Sequence, residues 1–397
     1  MEKNREDSIK EWKRIVNDIK KFPKEDRDYK TTIKLVNALN NLGEYKKAIS
    51  NMKKLVDITE KDSNYYKEMA RALEGLDNYD EALIYLNEAL DREQNNPWIY
   101  YEIGFNLARL GRSEEAIKYL KKCDENKDDT TNFIALYSEL GWNYKELNKP
   151  YIALKYFKLM EKLGRDDEWS NFQIGLTYIA ISNFIIALQY LFRAEQHAKA
   201  TNKNNPLIFS EIALVFTILN KNEEALEYLY KIEFYGKKDN WLYSQIALNL
   251  SFLEDYEGCL KNLNKAMELG RNDEWINLQF AWCYSHLNQP EKALEYFLKG
   301  EELGGKNDWT SYHIGITYKS LQKYDEALTY LDEIKDKKSF LGFVDLEMAD
   351  IYSKIKNRKK TIEWLKNAKY NIVPIDEKAL EKYDEIEAET LKMPFLN

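Results

Sequence analysis

The feature that most constrains this chain is a repeat with a period of 34 residues. Similar segments, such as GEYKKAISNM at 43–52 and GRSEEAIKYL at 111–120, align on one small residue. These anchors are Ala48, Ala82, Ala116, Ala153, Ala187, Ala225, Cys259, Ala293, Ala327 and Thr361. Seven of the nine spacings are 34 residues, and the two others contain short polar insertions near 130–132 and 202–205. Such a fixed period predicts an array of stacked supersecondary units.

Each repeat carries two apolar runs with three- and four-residue spacing, which places their side chains on helical faces. Gly or Ala stands twelve residues before the anchor in nine of ten repeats, and a large apolar residue stands nine before it. The small residues allow two helix backbones to approach within about 8–10 Å. A polar turn, such as GRS at 111–113, separates the runs. The pattern predicts helical hairpins and no β-sheet.

This pattern resembles the tetratricopeptide repeat, and the resemblance covers about ten repeats over residues 29–375. It implies an all-α, right-handed α-α superhelix. The amphipathic stretch 5–21 predicts an N-terminal capping helix within residues 1–28, because an end repeat would otherwise expose its apolar face. Residues 376–392 predict a C-terminal capping helix, and 393–397 form an apolar tail.

The segments between repeats have a signature of their own. LGRDDEW at 163–169 recurs as LGRNDEW at 269–275, and it resembles linkers of bacterial tetratricopeptide proteins. Where the family usually has Pro, four repeats have Gly, which favours the left-handed conformation that ends a helix: Gly164, Gly236, Gly270 and Gly304. The residues predicted to cap the next helix are Asp167, Asp239, Asp273 and Asn307.

Charge and hydropathy argue against nucleic-acid and membrane partners. The net charge is −8, with 67 acidic residues against 59 Lys and Arg, whereas nucleic-acid binding requires clustered basic residues. No window approaches 18 apolar residues, and residues 1–16 lack the apolar core of a signal peptide. We therefore expect a cytoplasmic protein. The oligomeric state is left open.

The chain shows no pattern typical of a catalytic or metal site. Three cysteines and three histidines are widely spaced, and none has a partner at metal-ligand spacing: Cys123, Cys259, Cys283, His197, His286 and His313. We expect the cysteines to pack as small apolar residues and the histidines to be solvated or at a groove edge. No phosphate-binding loop or catalytic motif occurs. The sequence predicts no cofactor, no metal and no enzymatic activity.

The candidate binding residues lie on the first helix of each repeat, which lines the inner groove in the family that this chain resembles. Eleven residues before the anchor, the residue is apolar from the third repeat to the ninth and polar outside them. The candidates are Tyr101, Phe105, Arg109, Trp142, Lys145, Phe172, Trp282 and Tyr312. Aromatics at this spacing are also typical of packing between helices. Arg109 and Lys145 lie one turn further along and are predicted to rim an apolar floor.

A second candidate comes from the resemblance alone. Some tetratricopeptide proteins bind a terminal carboxylate through a clamp of Lys, Asn and Arg side chains in successive repeats. Asn37, Lys67 and Arg71 match part of that clamp, and the repeat that would supply its first pair is missing.

These features predict a scaffold that binds another protein or a peptide segment in its groove. The alternatives are a peptide-responsive regulatory receptor, a non-catalytic subunit of an enzyme complex, a nucleic-acid-binding repeat protein and an unrecognised enzyme. Receptors of that kind usually carry an N-terminal helix-turn-helix, for which residues 1–28 are too short. The apolar tail 393–397 is a further candidate occupant of the groove.

Overall fold

A computed structural model describes residues 2–23, 27–55, 61–129, 131–201, 203–337, 341–371 and 377–392. Over these ranges the chain forms 22 α-helices and no β-strand, which confirms the predicted all-α fold. The helices are α1 Glu2–Lys20, α2 Tyr29–Asn41, α3 Tyr45–Met52, α4 Ser63–Glu74, α5 Tyr79–Arg92, α6 Pro97–Arg109, α7 Ser113–Glu125, α8 Phe133–Glu146, α9 Pro150–Lys162, α10 Glu168–Ala180, α11 Phe184–Ala200, α12 Pro206–Ile218, α13 Asn222–Phe234, α14 Asn240–Phe252, α15 Tyr256–Glu268, α16 Glu274–His286, α17 Pro290–Gly300, α18 Asp308–Ser320, α19 Tyr324–Asp332, α20 Leu341–Lys354, α21 Arg358–Asn371 and α22 Glu377–Lys392.

The chain divides into two compact units, residues 1–208 and 209–397. In the first unit α1 packs against α2, and five hairpins follow, from α2 with α3 to α10 with α11. The second helix of each of the first four hairpins also packs against the first helix of the next. The second unit repeats this arrangement from α13 to α21, and α22 packs against α20 and α21. The described residues of both insertions lie in loops, as predicted.

Close packing at small residues holds each hairpin together. All ten anchor residues have no exposed surface. A Cβ added at Gly104 would stand 2.7 Å from the Leu120 side chain, and one added at Gly141 would stand 2.5 Å from Phe157. The small residues are therefore required where the two helices cross, because interiors are packed without spare volume.

The turn inside every hairpin places one residue in the left-handed region. This residue stands five positions before the anchor, with φ between 52° and 73°, and only two of the ten are glycine: Gly43, Asp77, Gly111, Asn148, Ser182, Asn220, Glu254, Asn288, Gln322 and Lys356. The next N–H donates back into the first helix, as Arg112 does to the Leu107 carbonyl at 2.9 Å. This hydrogen bond closes the helix C-terminus.

The predicted linker geometry is confirmed. The four linker glycines have φ between 89° and 101°. Asp167 and Asp273 cap α10 and α16 by accepting from the backbone N–H three residues on. Arg165 Nε lies 3.0 Å from Asp167 Oδ2, and its guanidinium stacks on Trp169 at 4.4 Å. The arginine of the LGRDDEW segment therefore holds the capping carboxylate and covers the tryptophan.

Candidate functional site

Polar side chains connect the first helices of successive hairpins. The residue fourteen before each anchor can form hydrogen bonds in nine consecutive repeats: Glu68, Glu102, Glu139, Gln173, Glu211, Gln245, Gln279, His313 and Glu347. In four places this residue accepts a hydrogen bond from the preceding repeat, from the side chain seven or eight positions before that repeat's anchor. The donor–acceptor distances are 2.5–2.8 Å, and the pairs are Asn40 to Glu68, Arg109 to Glu139, Lys145 to Gln173 and Lys319 to Glu347. We call this series of contacts the ladder. It fixes the spacing between neighbouring first helices.

The three residues of the partial clamp donate to acceptors of the chain itself. Asn37 Nδ2 donates to Glu68 Oε1 at 2.7 Å, and Arg71 Nη1 lies 3.3 Å from the same oxygen. Lys67 Nζ pairs with Glu93 at 2.8 Å. Glu68 therefore stands where a ligand carboxylate would stand, and a peptide would have to displace it. The structure brings Asn37 and Arg71 together and directs Lys67 elsewhere.

The aromatic candidates of the first unit remain partly exposed. Tyr101 and Phe105 stack with their ring centroids 6.4 Å apart, and both rings are half-buried. Trp142 and Phe172 are also half-buried, and no ring contact joins them to that pair within the described residues. Within the described residues, only Tyr101 and Phe105 of these four side chains are joined by a ring contact.

The two basic candidates are part of the ladder. The Arg109 guanidinium lies 4.4 Å from the centre of the Phe105 ring and 2.8 Å from Glu139. The Lys145 ammonium lies 4.1 Å from the Trp142 ring centre and donates to Gln173. Both charges are thus engaged within the chain, and the geometry does not require acidic residues in a partner.

Glu102 occupies an open position of the ladder. The residue opposite it in this register is Glu74, so two carboxyls meet where other repeats have a donor and an acceptor. Asn106 donates to Glu74 at 2.6 Å, whereas no hydrogen bond to the Glu102 carboxyl is found among the described residues. Burial first, and then the nearby Glu74 carboxylate, raise the pKa of Glu102 to about 8. Its carboxyl is therefore protonated at neutral pH.

A cavity of about 210 Å³ lies beside Glu102. It is lined by α6, α7 and the start of α8, where the insertion near 130–132 lengthens the connection. The lining residues are Pro97, Trp98, Tyr101, Glu102, Cys123, Thr131, Asn132 and Ala135. Burial raises the pKa of the Cys123 thiol at this cavity to about 12, so the thiol is un-ionised.

The candidates of the second unit surround a second open position. Ser285 faces His313 in the ladder register, but its hydroxyl donates to the Ala281 carbonyl. Trp282 lies 5.4 Å from the His313 ring, and Tyr312 meets the same ring at 5.4 Å. A cavity of about 290 Å³ opens here, lined by Trp282, Ser285, His286, Asn288, Pro290, His313, Ile316, Thr317 and Ser320.

His313 lies half-buried at this cavity rather than in open solvent. Its ring is half-buried between Trp309 at 4.3 Å and Phe297 at 6.0 Å, because position fourteen faces the neighbouring first helix. Burial first, and then the charge of His286, lower the pKa of His313 to about 4. The imidazole is neutral at physiological pH. His286 lies exposed at the cavity edge, as expected, and His197 pairs with Asp166 at 3.1 Å.

The C-terminal end of the ladder is a buried ion cluster. Lys319 Nζ lies 2.5 Å from Glu347 and 2.7 Å from Asp350, and Lys382 on α22 reaches Glu347 at 2.5 Å. Burial alone would raise the pKa of Glu347, but the two ammonium groups hold it below its usual value. This cluster fastens α22 to α20. The tail 393–397 lies outside the described residues.

Sequence reasoning missed two contacts that depend on register between repeats. Glu102 was not selected, although the recurrence of Glu, Gln and His at position fourteen was visible. Cys259 and Cys283 were expected to be separate, yet their Sγ atoms lie 2.7 Å apart. The reason is that Cys259 is an anchor and Cys283 stands ten before the next anchor, on a helix that packs against it. Both contribute to the apolar core, as predicted.

Comparison with known proteins identifies the class of repeat. Residues 64–96 and 99–130, which span α4–α5 and α6–α7, match the sequence model of the tetratricopeptide repeat. The sequences of these two hairpins are therefore similar to that repeat. No curated protein matches the sequence significantly.

Three solved structures with low sequence identity are similar to this chain. PilF of Pseudomonas aeruginosa is 17% identical, covers 52% of this chain and 91% of its own, and gives a TM-score of 0.44. The Cut9 and Hcn1 assembly of the anaphase-promoting complex is 12% identical over 90% and 83%, with a TM-score of 0.48. YrrB, described as a tetratricopeptide protein with an unusual peptide-binding site, is 18% identical over 53% and 96%, with a TM-score of 0.39.

The described part of the chain offers neither a metal-binding cluster nor a membrane-spanning helix. No group of three or more His, Cys, Asp or Glu side chains there is arranged to hold a metal ion. Within the same ranges, every helix is too short or too polar to cross a membrane.

Proposed function

We propose that this chain is a tetratricopeptide scaffold over residues 29–375 that binds a segment of another protein on its first-helix face. One observation carries the proposal. The residue eleven before the anchor is apolar in seven consecutive repeats and is never buried: Phe105, Trp142, Leu176, Leu214, Leu248, Trp282 and Ile316. Its neighbours at positions ten and twelve are buried in the same repeats. A residue that served packing alone would also be buried.

The face offers anchoring groups in both units. In the first unit we propose that the side chains of Tyr101, Phe105, Trp142 and Phe172 contact the bound segment. Arg109 and Lys145 keep the first helices in register. In the second unit Trp282 lines the cavity beside His313, and Tyr312 contacts the His313 ring. Half-exposed aromatic side chains next to small cavities suit an extended or helical segment that inserts side chains into them. The linker sequence supports a bacterial protein, and a cytoplasmic location is part of this proposal.

A random peptide library displayed on phage tests this proposal. Selection on the wild-type protein is followed by parallel recovery on Phe172→Ala and on Ile185→Ala, a matched control whose side chain is 70% exposed on a second helix. We expect enriched peptides to be lost on Phe172→Ala and kept on Ile185→Ala. Peptides that behave in the opposite way would place binding on another face.

A further inference from the structure

The position occupied by Glu102 is the one point in the first unit where the ladder places like charges together. Glu68, Glu139 and Gln173 each accept a hydrogen bond from the preceding first helix. Glu102 instead faces Glu74, whose partner is Asn106 on the same helix as Glu102. A carboxyl without a donor is costly in a partly buried place, and a ligand that brings a donor would relieve this cost.

The cavity beside Glu102 has walls that suit the head of a long basic side chain. Trp98 and Tyr101 supply aromatic surface, and Asn132 and Thr131 supply polar groups from the lengthened loop. An ammonium or guanidinium group is attracted both to aromatic faces and to a carboxylate. The cavity volume of about 210 Å³ has room for such a group and part of its apolar stem.

The charges around the cavity are predominantly negative. Glu74 and Arg71 approach Glu102 from α4, Glu139 approaches from α8, and the Cys123 thiol on α7 is un-ionised. Arg71 is shared with Glu68, and the nearby Arg109 pairs with Glu139. On α4, Lys67 lies 5.9 Å from the Trp98 ring centre and pairs with Glu93. Each of these basic groups therefore already pairs with another carboxylate, and none of them pairs with Glu102.

We propose that the cavity between α6 and α8 binds an arginine or lysine side chain of the partner segment, with Glu102 as its carboxylate. The proposal rests on the proposed function, because the basic side chain belongs to the bound protein. Its mechanism requires Glu102 to lose its proton when the cation enters. Because the pKa of Glu102 is about 8, binding at neutral pH should release close to one proton.

The test uses two short probes that differ only in charge. They are the blocked tripeptides acetyl-Gly-Arg-Gly-amide and acetyl-Gly-citrulline-Gly-amide, in which citrulline keeps the shape of arginine without its charge. The protein is labelled with 5-fluorotryptophan, and the Trp98 resonance is assigned by its absence in Trp98→Phe. Chemical-shift titrations then report binding at this cavity directly, without any knowledge of the natural partner.

We expect the arginine probe to shift the Trp98 resonance with saturation, and Glu102→Gln to weaken that binding at least about tenfold. Glu102→Gln should fold normally, because Gln173, Gln245 and Gln279 occupy the same position in other repeats. Affinity should also rise about tenfold from pH 6 to pH 7, since one proton is released. Glu114→Gln, an exposed control on α7, should change nothing.

An equal response to citrulline, an unchanged affinity in Glu102→Gln, or an affinity independent of pH would overturn this inference. None of these results bears on the proposed function, which is tested separately through Phe172 and selected peptides. Conversely, if the selected peptides bind Phe172→Ala normally, the proposed function fails. The tripeptide titration would still decide whether the cavity binds a cation.

Discussion

Most hairpin turns place a residue other than glycine at a positive φ, which strains the backbone of a residue with a side chain. Glu254 has φ of 62°, a region that costs a residue with a side chain about 1–2 kcal/mol. Glycine removes this cost but loses more entropy on folding, by about 0.5–1 kcal/mol. We expect Glu254→Gly to raise the free energy of unfolding by about 0.5–1 kcal/mol in chemical denaturation. The reverse change, Gly111→Ala at φ of 73°, should destabilise the protein.

The half-buried imidazole of His313 makes stability depend on pH. Its pKa is about 4 in the folded protein and 6.5 when the imidazole is exposed. Between pH 6.5 and pH 4, the unfolded chain therefore binds a proton at His313 that the folded protein does not bind. The stabilisation is complete above pH 6.5 and is lost as the pH falls towards 4, by about 2 kcal/mol after allowing for partial exposure. Denaturation midpoints measured from pH 7 to pH 4.5 should fall more steeply for the wild type than for His313→Gln, because only the wild type carries the imidazole. Parallel curves would contradict this account.

The residues of the site show how far sequence reasoning reaches. The apolar position eleven before the anchor was identified because its periodicity can be counted along one helix. Glu102 and His313 were not, because each depends on the residue that the preceding repeat places opposite it. That partner stands 28 residues earlier in both cases, at Glu74 and Ser285. Pairing at this distance becomes visible only once the register between helices is known.

At the scale of the helix, the first helices begin at side-chain caps. Asp273 Oδ1 accepts from the Ile276 N–H at 2.9 Å, and Arg271 holds its other oxygen. Removing such a cap typically costs about 1 kcal/mol. We expect Asp273→Ala to lower the free energy of unfolding by about that amount, measured by urea denaturation. Lys261→Ala, an exposed control on α15, should leave it unchanged, and equal effects of the two changes would contradict a capping role.

The crossing of two helices in a hairpin tolerates little added volume. Ala225 has no exposed surface, and the residues that surround it in α12 and α13 are largely buried. Ala225→Leu should overpack this crossing and cost about 1–3 kcal/mol. Thermal unfolding checks this directly, with Lys221→Leu at the exposed end of the same hairpin turn as a control for the added side chain. An unaltered melting temperature in Ala225→Leu would mean that the anchor alignment is wrong.

The helices themselves were predictable, and their ends only in part. Apolar spacing located the hairpins, and the linker glycines and four N-caps were read correctly. Four other caps of first helices were missed, since no glycine precedes them: Asp28, Asp62, Asn96 and Asn132. The left-handed turn residue was also missed. Lys356 and Glu254 have a positive φ, but unlike glycine or asparagine, lysine and glutamate do not indicate that conformation in a sequence.

At the scale of the whole molecule, we expect stability to depend on the packing of neighbouring hairpins. The first helices keep apolar side chains that are partly exposed. Each hairpin buries its apolar surface against its neighbours, so a change in one repeat should spread to the adjacent ones. The ladder adds polar contacts along the first helices and leaves openings at Glu102 and His313. The apolar side chains eleven before the anchor, from the third repeat to the ninth, keep part of their surface exposed. They are the part of the molecule that we assign to binding.

The most direct measurement compares affinity and stability on the same samples. A peptide selected on the wild-type protein is titrated by calorimetry against the wild type, Trp142→Ala and Ile185→Ala, and the melting temperature of each protein is recorded. The account predicts that Trp142→Ala weakens binding at least about thirtyfold, equivalent to about 2 kcal/mol, with a melting temperature close to that of the wild type. A lowered melting temperature in Trp142→Ala with affinity intact would show that this side chain serves packing, and would contradict the account.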